Sequence, residues 1–450
     1  MTRCVSRPAL LVAAIVIASL PLAARHAVAA GPTFTVDSLL DQPDDGTMPG
    51  TCHTAAGTCT LRAAIMQANR TTGVGATVAL PAGVYALTIP ASGSDGETNG
   101  DLNLTTPASG NPFIAIVGAG AESTIIDANQ LDRVFSIEHD RTAQISGVTI
   151  RNGFVAGFDT VGGGILSGGT LILSNATIES SQADSGGGIY IYVFAVSSYL
   201  EVRNSTISGN RATSFNGGGI ASARASMLVV NSTISQNDAN DSGGGVYSPF
   251  GNANVYNTTI VFNHADADND GVGRGGGVYT SSSSVLNLRN TLLAGNFTSG
   301  GPGTFSFNDD CAGVLNGAGK NLFWEAPVSS CTLGGDAGSW NSLNDLNTLG
   351  PLQDNGGPTQ THALLAGSNA IDGTDGSACV DDQGVPLTTD QRGSPRVSGV
   401  GCDIGAFEVP EPGAMAAFAA AMATLASLRR VPRILRHSPR DARRTSAIPE

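Results

Sequence analysis

The feature that most restricts the fold of this chain is a motif that recurs five times between Gly162 and Asn296. Each copy opens on a glycine triplet, passes through a short run of alternating apolar residues and ends on Asn-x-Thr-Ile, or on Asn-Thr-Leu-Leu in the last copy. Successive triplets begin 24 to 32 residues apart, and a period of this length that tolerates insertions is typical of solenoids. The five asparagines are Asn175, Asn204, Asn231, Asn257 and Asn290.

The apolar residues of each copy predict short strands rather than helices. Residues two and four positions before each asparagine are apolar, and a spacing of two places them on one face of a strand. No helical segment separates the copies. We therefore expect an all-β chain folded as a right-handed parallel β-helix, with a short N-terminal capping helix and a disulfide-braced C-terminal cap.

The asparagine columns are expected to form ladders of hydrogen bonds. Each of the five asparagines shares the parity of the apolar residues before it, so we expect its side chain to point into the core. Stacked amides there would bond up and down the coils, which satisfies polar groups that would otherwise be buried without partners. A second column, expected to lie on the outside, follows six positions later: Asn210, Asn237, Asn263 and Asn296.

The N-terminus has the form of a secretory signal. Arg3 and Arg7 precede an apolar stretch at residues 9–22, and small residues at positions 27 and 29 have the pattern of a cleavage site. We therefore expect an exported protein that resides at the cell surface or outside the cell. The rest of the chain has no apolar run of about twenty residues, the length that an ordinary membrane helix needs.

The cysteines agree with export. Cys4 lies in the signal, and the other six fall into three local pairs, each within one irregular region. In an exported protein this distribution predicts three disulfides. Their spacing lacks the C-x-x-C form of a metal site. The expected pairs are Cys52 with Cys59, Cys311 with Cys331, and Cys379 with Cys402.

Acidic residues dominate the body of the chain. The signal and the tail carry ten of the 23 basic residues but three of the 37 acidic ones, so residues 31–408 hold 13 basic and 34 acidic residues and a net charge of −21. A charge of this sign and size argues against nucleic-acid binding. It favours attraction of Ca²⁺ and predicts repulsion of acidic glycans unless Ca²⁺ bridges them.

A helix is expected near the start of the mature chain. Leu61, Ala64, Ile65 and Ala68 form one apolar face, and Thr60 is a suitable N-cap. The segment Cys-Thr-Leu-Arg-Ala-Ala-Ile at residues 59–65 resembles the CSLREA motif, found near the N-terminus of exported bacterial repeat proteins. Threonine here replaces its serine, and alanine replaces its glutamate. The resemblance implies that this segment caps the solenoid.

Residues 350–408 contain six short stretches in a fixed order: Gly350-Pro351-Leu352, Asp354-Asn355-Gly356-Gly357-Pro358-Thr359, Thr361-His362, Ala370-Ile371-Asp372, Asp390-Gln391-Arg392-Gly393 and Cys402-Asp403-Ile404-Gly405-Ala406-Phe407-Glu408. Together they resemble the choice-of-anchor Q domain, whose members are secreted surface proteins that carry different sorting tails. The resemblance implies no enzymatic activity.

The C-terminal tail combines Pro410-Glu411-Pro412 with an apolar stretch at residues 414–428 and the basic pair Arg429-Arg430. This arrangement resembles a PEP-CTERM sorting signal, which implies cleavage by an exosortase-type membrane protease. Such signals end at the basic cluster, whereas this chain continues to residue 450. The chain then divides into a signal peptide (1–30), an N-terminal cap (31–76), a parallel β-helix (77–349), a C-terminal cap (350–408) and a sorting tail (409–450).

One acidic stretch is a candidate metal site. Asp266, Asp268 and Asp270 alternate in a loop that ends on Gly271, which matches the first half of an EF-hand loop without its closing glutamate. We expect Ca²⁺ as the ion, and the alternative is a solvated loop between two coils. No other cofactor is indicated.

The motifs favour a structural or adhesin-like surface protein over an enzyme. We expect the flat outer faces of the strands to bind extracellular polysaccharide or other surface components. The alternative is a polysaccharide lyase or glycoside hydrolase on the same scaffold. A lyase would need clustered aspartates and an outward arginine as base, and Arg203 and Arg289 each precede a repeat asparagine. They lie three coils apart, which argues against one shared site.

Overall fold

The computed structural model describes residues 31–72, 74–92, 96–105, 113–157, 160–194, 198–302, 306–324, 330–336, 338–376, 378–396 and 401–410. The predicted signal peptide and the sorting motif residues Glu411 and Pro412 lie outside these described residues, whereas Pro410 lies within them. No helix within the described ranges is long and apolar enough to cross a membrane.

The chain consists of many short strands and a single α-helix within the described ranges. The N-terminal part contains β1 (Thr33–Thr35), α1 (Leu61–Asn69), β2 (Ala76–Leu80), β3 (Gly83–Ala86), β4 (Leu102–Leu104), β5 (Phe113–Gly118), β6 (Thr124–Asp127), β7 (Phe135–Ile137), β8 (Thr142–Ser146) and β9 (Thr149–Arg151). The repeats contain β10 (Ile165–Ser167), β11 (Thr170–Ser174), β12 (Thr177–Glu179), β13 (Gln182–Ala183), β14 (Ile189–Tyr192), β15 (Tyr199–Arg203), β16 (Thr206–Ser208), β17 (Arg211–Ala212), β18 (Ile220–Ala223), β19 (Ser226–Val230), β20 (Thr233–Ser235), β21 (Asp238–Ala239), β22 (Val246–Ser248), β23 (Asn252–Tyr256), β24 (Thr259–Val261), β25 (His264–Ala265), β26 (Val278–Thr280), β27 (Val285–Arg289), β28 (Leu292–Ala294) and β29 (Phe297–Thr298). The last part contains β30 (Phe307–Asn308), β31 (Cys311–Ala318), β32 (Asn321–Phe323), β33 (Cys331–Gly335), β34 (Trp340–Ser342), a 3-10 turn (Leu346–Thr348), β35 (Leu349–Gln353) and β36 (Thr361–Leu364).

These strands stack in parallel as the coils of a β-helix, which confirms the predicted fold. Each repeat supplies one strand to each of four sheets, which we name A, B, C and D. Along the chain, the strands of one repeat join sheets C, A, B and D in that order. Sheet A contains β1, β2, β5, β8, β11, β15, β19, β23, β27, β31 and β33. Sheet B contains β3, β6, β9, β12, β16, β20, β24, β28, β32 and β34. Sheet C contains β4, β7, β10, β14, β18, β22, β26 and the start of β31. Sheet D contains β13, β17, β21, β25 and β29, with β30 antiparallel at its end.

The strands are in register, so equivalent residues of successive repeats form columns along the stack. The apolar residue after each glycine triplet lies in one such column, which is fully buried in every repeat. Similar columns from sheets A and B complete a continuous apolar core. Burial of these columns is the main force that stabilises the solenoid. The first column consists of Ile165, Ile189, Ile220, Val246 and Val278.

The glycine triplets form the corner that leads into sheet C. Gly243 has a φ of +71°, a conformation that L side chains rarely adopt. Two residues later, a Cβ atom on Gly245 would lie 2.6 Å from the carbonyl oxygen of Gly277 in the next coil. The first glycine is therefore required for its backbone conformation and the third for the close approach of neighbouring coils.

The second asparagine column lies inside the protein, so its predicted outside position is wrong. In Asn237, both the backbone N–H and the side-chain Nδ2 donate to Oδ1 of Asn263, at 3.1 and 2.9 Å. The same pair of bonds joins Asn210 to Asn237 and Asn263 to Asn296. The ladder ends on Asp310, whose Oδ1 accepts both bonds from Asn296. All of these side chains are buried, so this column is the inner polar ladder.

The first asparagine column does not point into the core, and the predicted inward orientation is wrong. Asn175 is partly exposed, and the amides of Asn231, Asn257 and Asn290 donate to backbone carbonyls in the C-terminal segment rather than to core groups. The parity argument fails because these asparagines occupy the left-handed region, which reverses the direction of the chain at a corner. Some bonds do run along the column, as from Asn231 to Asn204 at 2.8 Å. The φ values of Asn175, Asn204, Asn231, Asn257 and Asn290 lie between 49° and 54°.

The predicted helix and all three predicted disulfides are present. The helix α1 follows Thr60, whose side chain accepts a hydrogen bond from the backbone N–H of Ala63, as expected for an N-cap. It packs against β1, β2 and β4 at the first coils. The disulfides join Cys52 to Cys59, Cys311 to Cys331 and Cys379 to Cys402.

The C-terminal segment, defined here as residues 349–409, lies along the side of the coils. Its Gln391 accepts a hydrogen bond from Thr233 on the outer face of sheet B, and its His362 bonds to Ser235 beside it. Apolar residues of the segment and of sheet B form a second core, which includes Val261 and Phe407. The disulfide-braced segment therefore covers the flank of the solenoid rather than its end.

Candidate functional site

Two features of the surface combine groups that could bind a ligand: an acidic loop and an aromatic trench. The acidic loop, residues 266–271, connects β25 of sheet D to the glycine corner before β26. It brings together the three aspartates that the sequence predicts as ligands. One carboxylate oxygen from each of Asp266, Asp268 and Asp270 lies within 4.8 Å of the others.

Asp266 differs from its two exposed neighbours in the acidic loop because it is fully buried. Its Oδ1 accepts a hydrogen bond from the N–H of Gly271 at 2.9 Å, whereas its Oδ2 is buried without a hydrogen-bond partner in the described part of the chain. Oδ1 of Asn269 is also buried without a hydrogen-bond partner among the described residues. Buried carboxylates are normally paired with a cation or coordinate a metal. The loop therefore presents an oxygen cluster that suits a hard cation.

The aromatic trench lies on the outer face of sheet C, and the strand register defines its shape. One outward column runs through Tyr190, Ala221, Tyr247 and Tyr279 on successive strands β14, β18, β22 and β26. Tyr190 and Tyr247 are two strands apart, which is about 10 Å at the usual strand spacing. The small side chain of Ala221 lies between them as a floor that is only 1% exposed, with an aromatic ring on each side.

A second outward residue of the same strands widens the slot. Ala223 lies beside Tyr192 of the preceding coil, so both outward positions of β18 are alanines. The resulting trench has a volume of about 490 Å³. Exposed phenylalanines lie at its two ends, Phe215 on one side and Phe250 with Arg224 on the other. A trench of this size suits a small ligand or one short segment of a polymer.

The tyrosines of the walls lie in pairs, one stacked and one tilted. The rings of Tyr247 and Tyr279 are 5.0 Å apart and nearly parallel, and those of Tyr190 and Tyr192 are 6.4 Å apart. Burial raises the pKa of Tyr247 to about 12, with smaller contributions from Tyr279, Asp241 and Tyr190. The hydroxyl of Tyr247 therefore stays protonated at physiological pH and remains a hydrogen-bond donor.

The residues that line the trench suit ligand binding rather than hydrolysis. Tyrosine, phenylalanine and small residues dominate the lining, with Ser185, Asn216, Ser222 and Arg224 as other polar groups. Among the described residues that line the trench, none is an aspartate, glutamate or histidine. General acid–base cleavage of a glycosidic bond by hydrolysis requires a pair of carboxyl groups in most such enzymes. The trench can hold a ligand but lacks the groups for that reaction.

The two arginines considered as lyase bases, Arg203 and Arg289, lie outside the trench and contact other side chains. Arg203 forms ion pairs with Glu201 and with Asp382 of the C-terminal segment. Arg289 lies over the ring of Tyr256 on sheet A, at 5.3 Å. Neither lines the trench. Both arginines thus lie outside the trench and in contact with other groups.

The sequence contained a signal for the trench that our interpretation missed. The second residue after each glycine triplet is the outward column, and in the five repeats it reads Leu166, Tyr190, Ala221, Tyr247 and Tyr279. Aromatic residues at an outward position are unusual in a chain with only 5% aromatic residues. An alanine between two tyrosines in this column predicts a slot, once the column is known to face outward.

Comparisons with known proteins give one similar solved structure. No protein-family model and no curated protein matches the chain. Among solved structures, the crystal structure of pectate lyase Pel9A is similar, with a TM-score of 0.44 and 12% sequence identity. The match covers 84% of this chain and 96% of the lyase chain.

Proposed function

We propose that this protein is an exported binding protein that holds a segment of an extracellular polysaccharide in the aromatic trench without cleaving it. The observation that supports the proposal is the slot between Tyr190 and Tyr247 above Ala221. A sugar ring has flat faces of C–H groups and a rim of hydroxyl groups. Its faces can pack on aromatic rings while the tyrosine hydroxyls and Asn216 bond to the rim.

Other classes of ligand fit less well. Nucleic acid is disfavoured because the body of the chain has a net charge of −21, which repels a polyphosphate. A flat protein interface needs roughly 800 Å² on each partner, whereas the aromatic groups here surround one narrow slot. A chain of sugar rings is narrow enough to lie in such a slot.

The proposed location is the cell surface or the extracellular matrix. The three disulfides fit an oxidising compartment. The signal-like N-terminus and the PEP-CTERM-like tail support export followed by processing at the membrane by a sorting protease. Non-catalytic binding of polysaccharide would let such a protein act as an adhesin or as a structural component of the matrix.

We also propose that the acidic loop takes Ca²⁺. The buried and unpartnered Oδ2 of Asp266 supports this, since a divalent cation would compensate its charge. Asp268, Asp270 and the side-chain oxygen of Asn269 could complete the oxygen set. Calcium should raise the melting temperature of the purified protein, and Asp268→Asn with Asp270→Asn should abolish that rise. The exposed Asp336→Asn is the matched control, and an equal calcium response in all variants would contradict this assignment.

A glycan screen on the purified exported protein tests the binding proposal. Binding, new reducing ends and unsaturated sugars are followed together, with and without Ca²⁺. We expect binding to a polysaccharide with no cleavage products. Cleavage products would instead establish the lyase or hydrolase alternative, and failure to bind any glycan would overturn the proposal.

A pair of tyrosine variants locates the binding site. Tyr247→Ala removes one wall of the slot and should weaken affinity by about tenfold or more, the effect of losing a central aromatic contact. Tyr256→Ala removes a half-buried tyrosine on the outer face of sheet A and should leave affinity unchanged. Equal effects of the two variants would contradict binding in the trench.

A further inference from the structure

The charge at the trench is opposite to that of the protein. Of the described residues that line the slot, Arg224 alone carries a formal charge. It follows β18, the strand whose two alanines form the floor. Its guanidinium therefore lies at one end of the slot, where an anionic group of a bound ligand would meet it.

Arg224 is available for such a group. Seven of the body's arginines form ion pairs with acidic side chains within the described part of the chain, and Arg224 is not among them. Its side chain is exposed, and its guanidinium lies 5.9 Å from the ring centre of Phe250. That contact orients the planar group without neutralising it.

The backbone conformation of Arg224 has a cost in free energy. Its φ is +71°, in the left-handed region where glycine or asparagine would be cheaper. Asparagine and glycine occupy most left-handed positions among the described residues, whereas Gln130, Ser180, Gln236 and Phe262 also adopt this conformation. An arginine held in such a conformation at the edge of a ligand-sized slot points to a role for its side chain.

We infer that the trench is selective for an acidic glycan, with a carboxylate or sulfate group of the sugar on Arg224 and a sugar ring between Tyr190 and Tyr247. This inference rests on the proposed function. It revises the expectation that the acidic body repels such glycans. Charges beyond about 8 Å are largely screened at physiological ionic strength, so the contact at Arg224 decides the local preference. An arginine can bind a carboxylate or a sulfate through two parallel hydrogen bonds.

The test uses ligand pairs that differ only in charge. The probes are oligogalacturonate with its methyl-esterified form, and a sulfated galactan oligosaccharide with its desulfated form. All measurements are made in EDTA so that Ca²⁺ cannot bridge acidic groups. We expect the protein to prefer the charged member of at least one pair by about tenfold, and the pair that shows the preference identifies carboxylate or sulfate.

Arg224→Gln should abolish the preference by weakening binding of the charged member about tenfold. The control Arg211→Gln changes an exposed arginine on sheet D, whose Nη2 bonds to Asn240, and should keep the preference. A preference that survives Arg224→Gln, or a protein that binds both members of each pair equally, overturns the inference but not glycan binding. Binding that is insensitive to Tyr247→Ala overturns the proposed function itself.

Discussion

The outer faces of sheets B and C belong to the same coils, yet their environments are opposite. On sheet B, Thr233 and Thr259 are buried because the C-terminal segment lies on them and bonds to their hydroxyls. On sheet C, the outward residues Tyr190 and Tyr247 border an open trench. The coils alone therefore do not determine which face of the solenoid is covered.

The difference lies in the outward side chains. Sheet B presents small residues such as Thr233 and Ser235, which let a second layer approach and offer hydroxyls for hydrogen bonds to Gln391 and His362. Sheet C combines large rings with alanine in its outward column, which gives an uneven surface that excludes a flat second layer. Sheet B thus carries the second core, and our proposal assigns ligand binding to sheet C. The variants below test this division.

The largest loss of stability is expected at Arg396, a buried charge that holds the C-terminal segment against the coils. Arg396 is fully buried, donates to Oδ1 of Asn231 at 2.7 Å and forms an ion pair with Glu408. Removal of one member of a buried ion pair costs about 3–5 kcal/mol, so Arg396→Met should lower the free energy of unfolding by that amount. Urea unfolding measures the change. Glycan affinity well below the melting temperature should be unaltered, and its loss would contradict the independence of the two faces.

The free energy of unfolding of the protein should fall as pH rises from 6 to 8. Burial raises the pKa of Asp403 and of Asp310 to about 7, so the folded protein holds protons that the unfolded chain releases near pH 4. Their stabilising contribution is complete below about pH 4 and is lost as pH rises through 7, at up to about 1.4 kcal/mol per pH unit for each proton. Burial of His362 lowers its pKa and acts in the opposite direction below its ordinary pKa.

Urea unfolding at pH 6, 7 and 8 measures this dependence. Asp403→Asn should reduce the slope because it removes one of the two protons. Rising stability over this range would contradict the assignment of the two buried carboxyl groups. Glycan binding should change little over the same range, because the pKa of Tyr247 is about 12.

A smaller difference in unfolding free energy is expected between two asparagines of the first column, one covered by the C-terminal segment and one not. Asn231 and Asn175 have φ values of 54° and 50°, so replacement by alanine imposes the same backbone strain on both. Asn231 also bonds to Thr389 and Arg396 of the cover, whereas Asn175 is partly exposed. Asn231→Ala should therefore cost about 1–3 kcal/mol more than Asn175→Ala in urea unfolding. Equal costs would show that the cover contributes nothing at this column.

Repetition explains why most of the fold could be predicted from sequence. The glycine triplets and apolar columns recur at each coil, and each coil contacts chiefly its neighbours, so local patterns predict the stack. The three disulfides link cysteines that are near in sequence and were predicted for that reason. The orientation of the asparagine columns was not, because one left-handed residue such as Asn231 breaks the alternation on which the parity argument depends.

The position of the C-terminal segment and the shape of the trench depend on contacts between residues far apart in sequence, which no local sequence pattern predicts. Thr233 meets Gln391 across 158 residues of sequence, and neither residue type predicts the other. Tyr190 and Tyr247 become facing walls only when the register of three strands is known. The acidic loop, by contrast, was found from sequence because its three aspartates lie within five residues.

Filling the slot tests the central claim most directly. Ala221→Tyr would continue the tyrosine column between Tyr190 and Tyr247 without removing any wall of the trench. Ser226→Tyr, on the outer face of sheet A beside Tyr199, is the control. Isothermal titration with the glycan selected by the screen should show loss of binding for Ala221→Tyr in a protein that is still folded at the temperature of the titration, and full binding for the control. Undiminished binding by Ala221→Tyr would contradict the claim that the trench is the binding site.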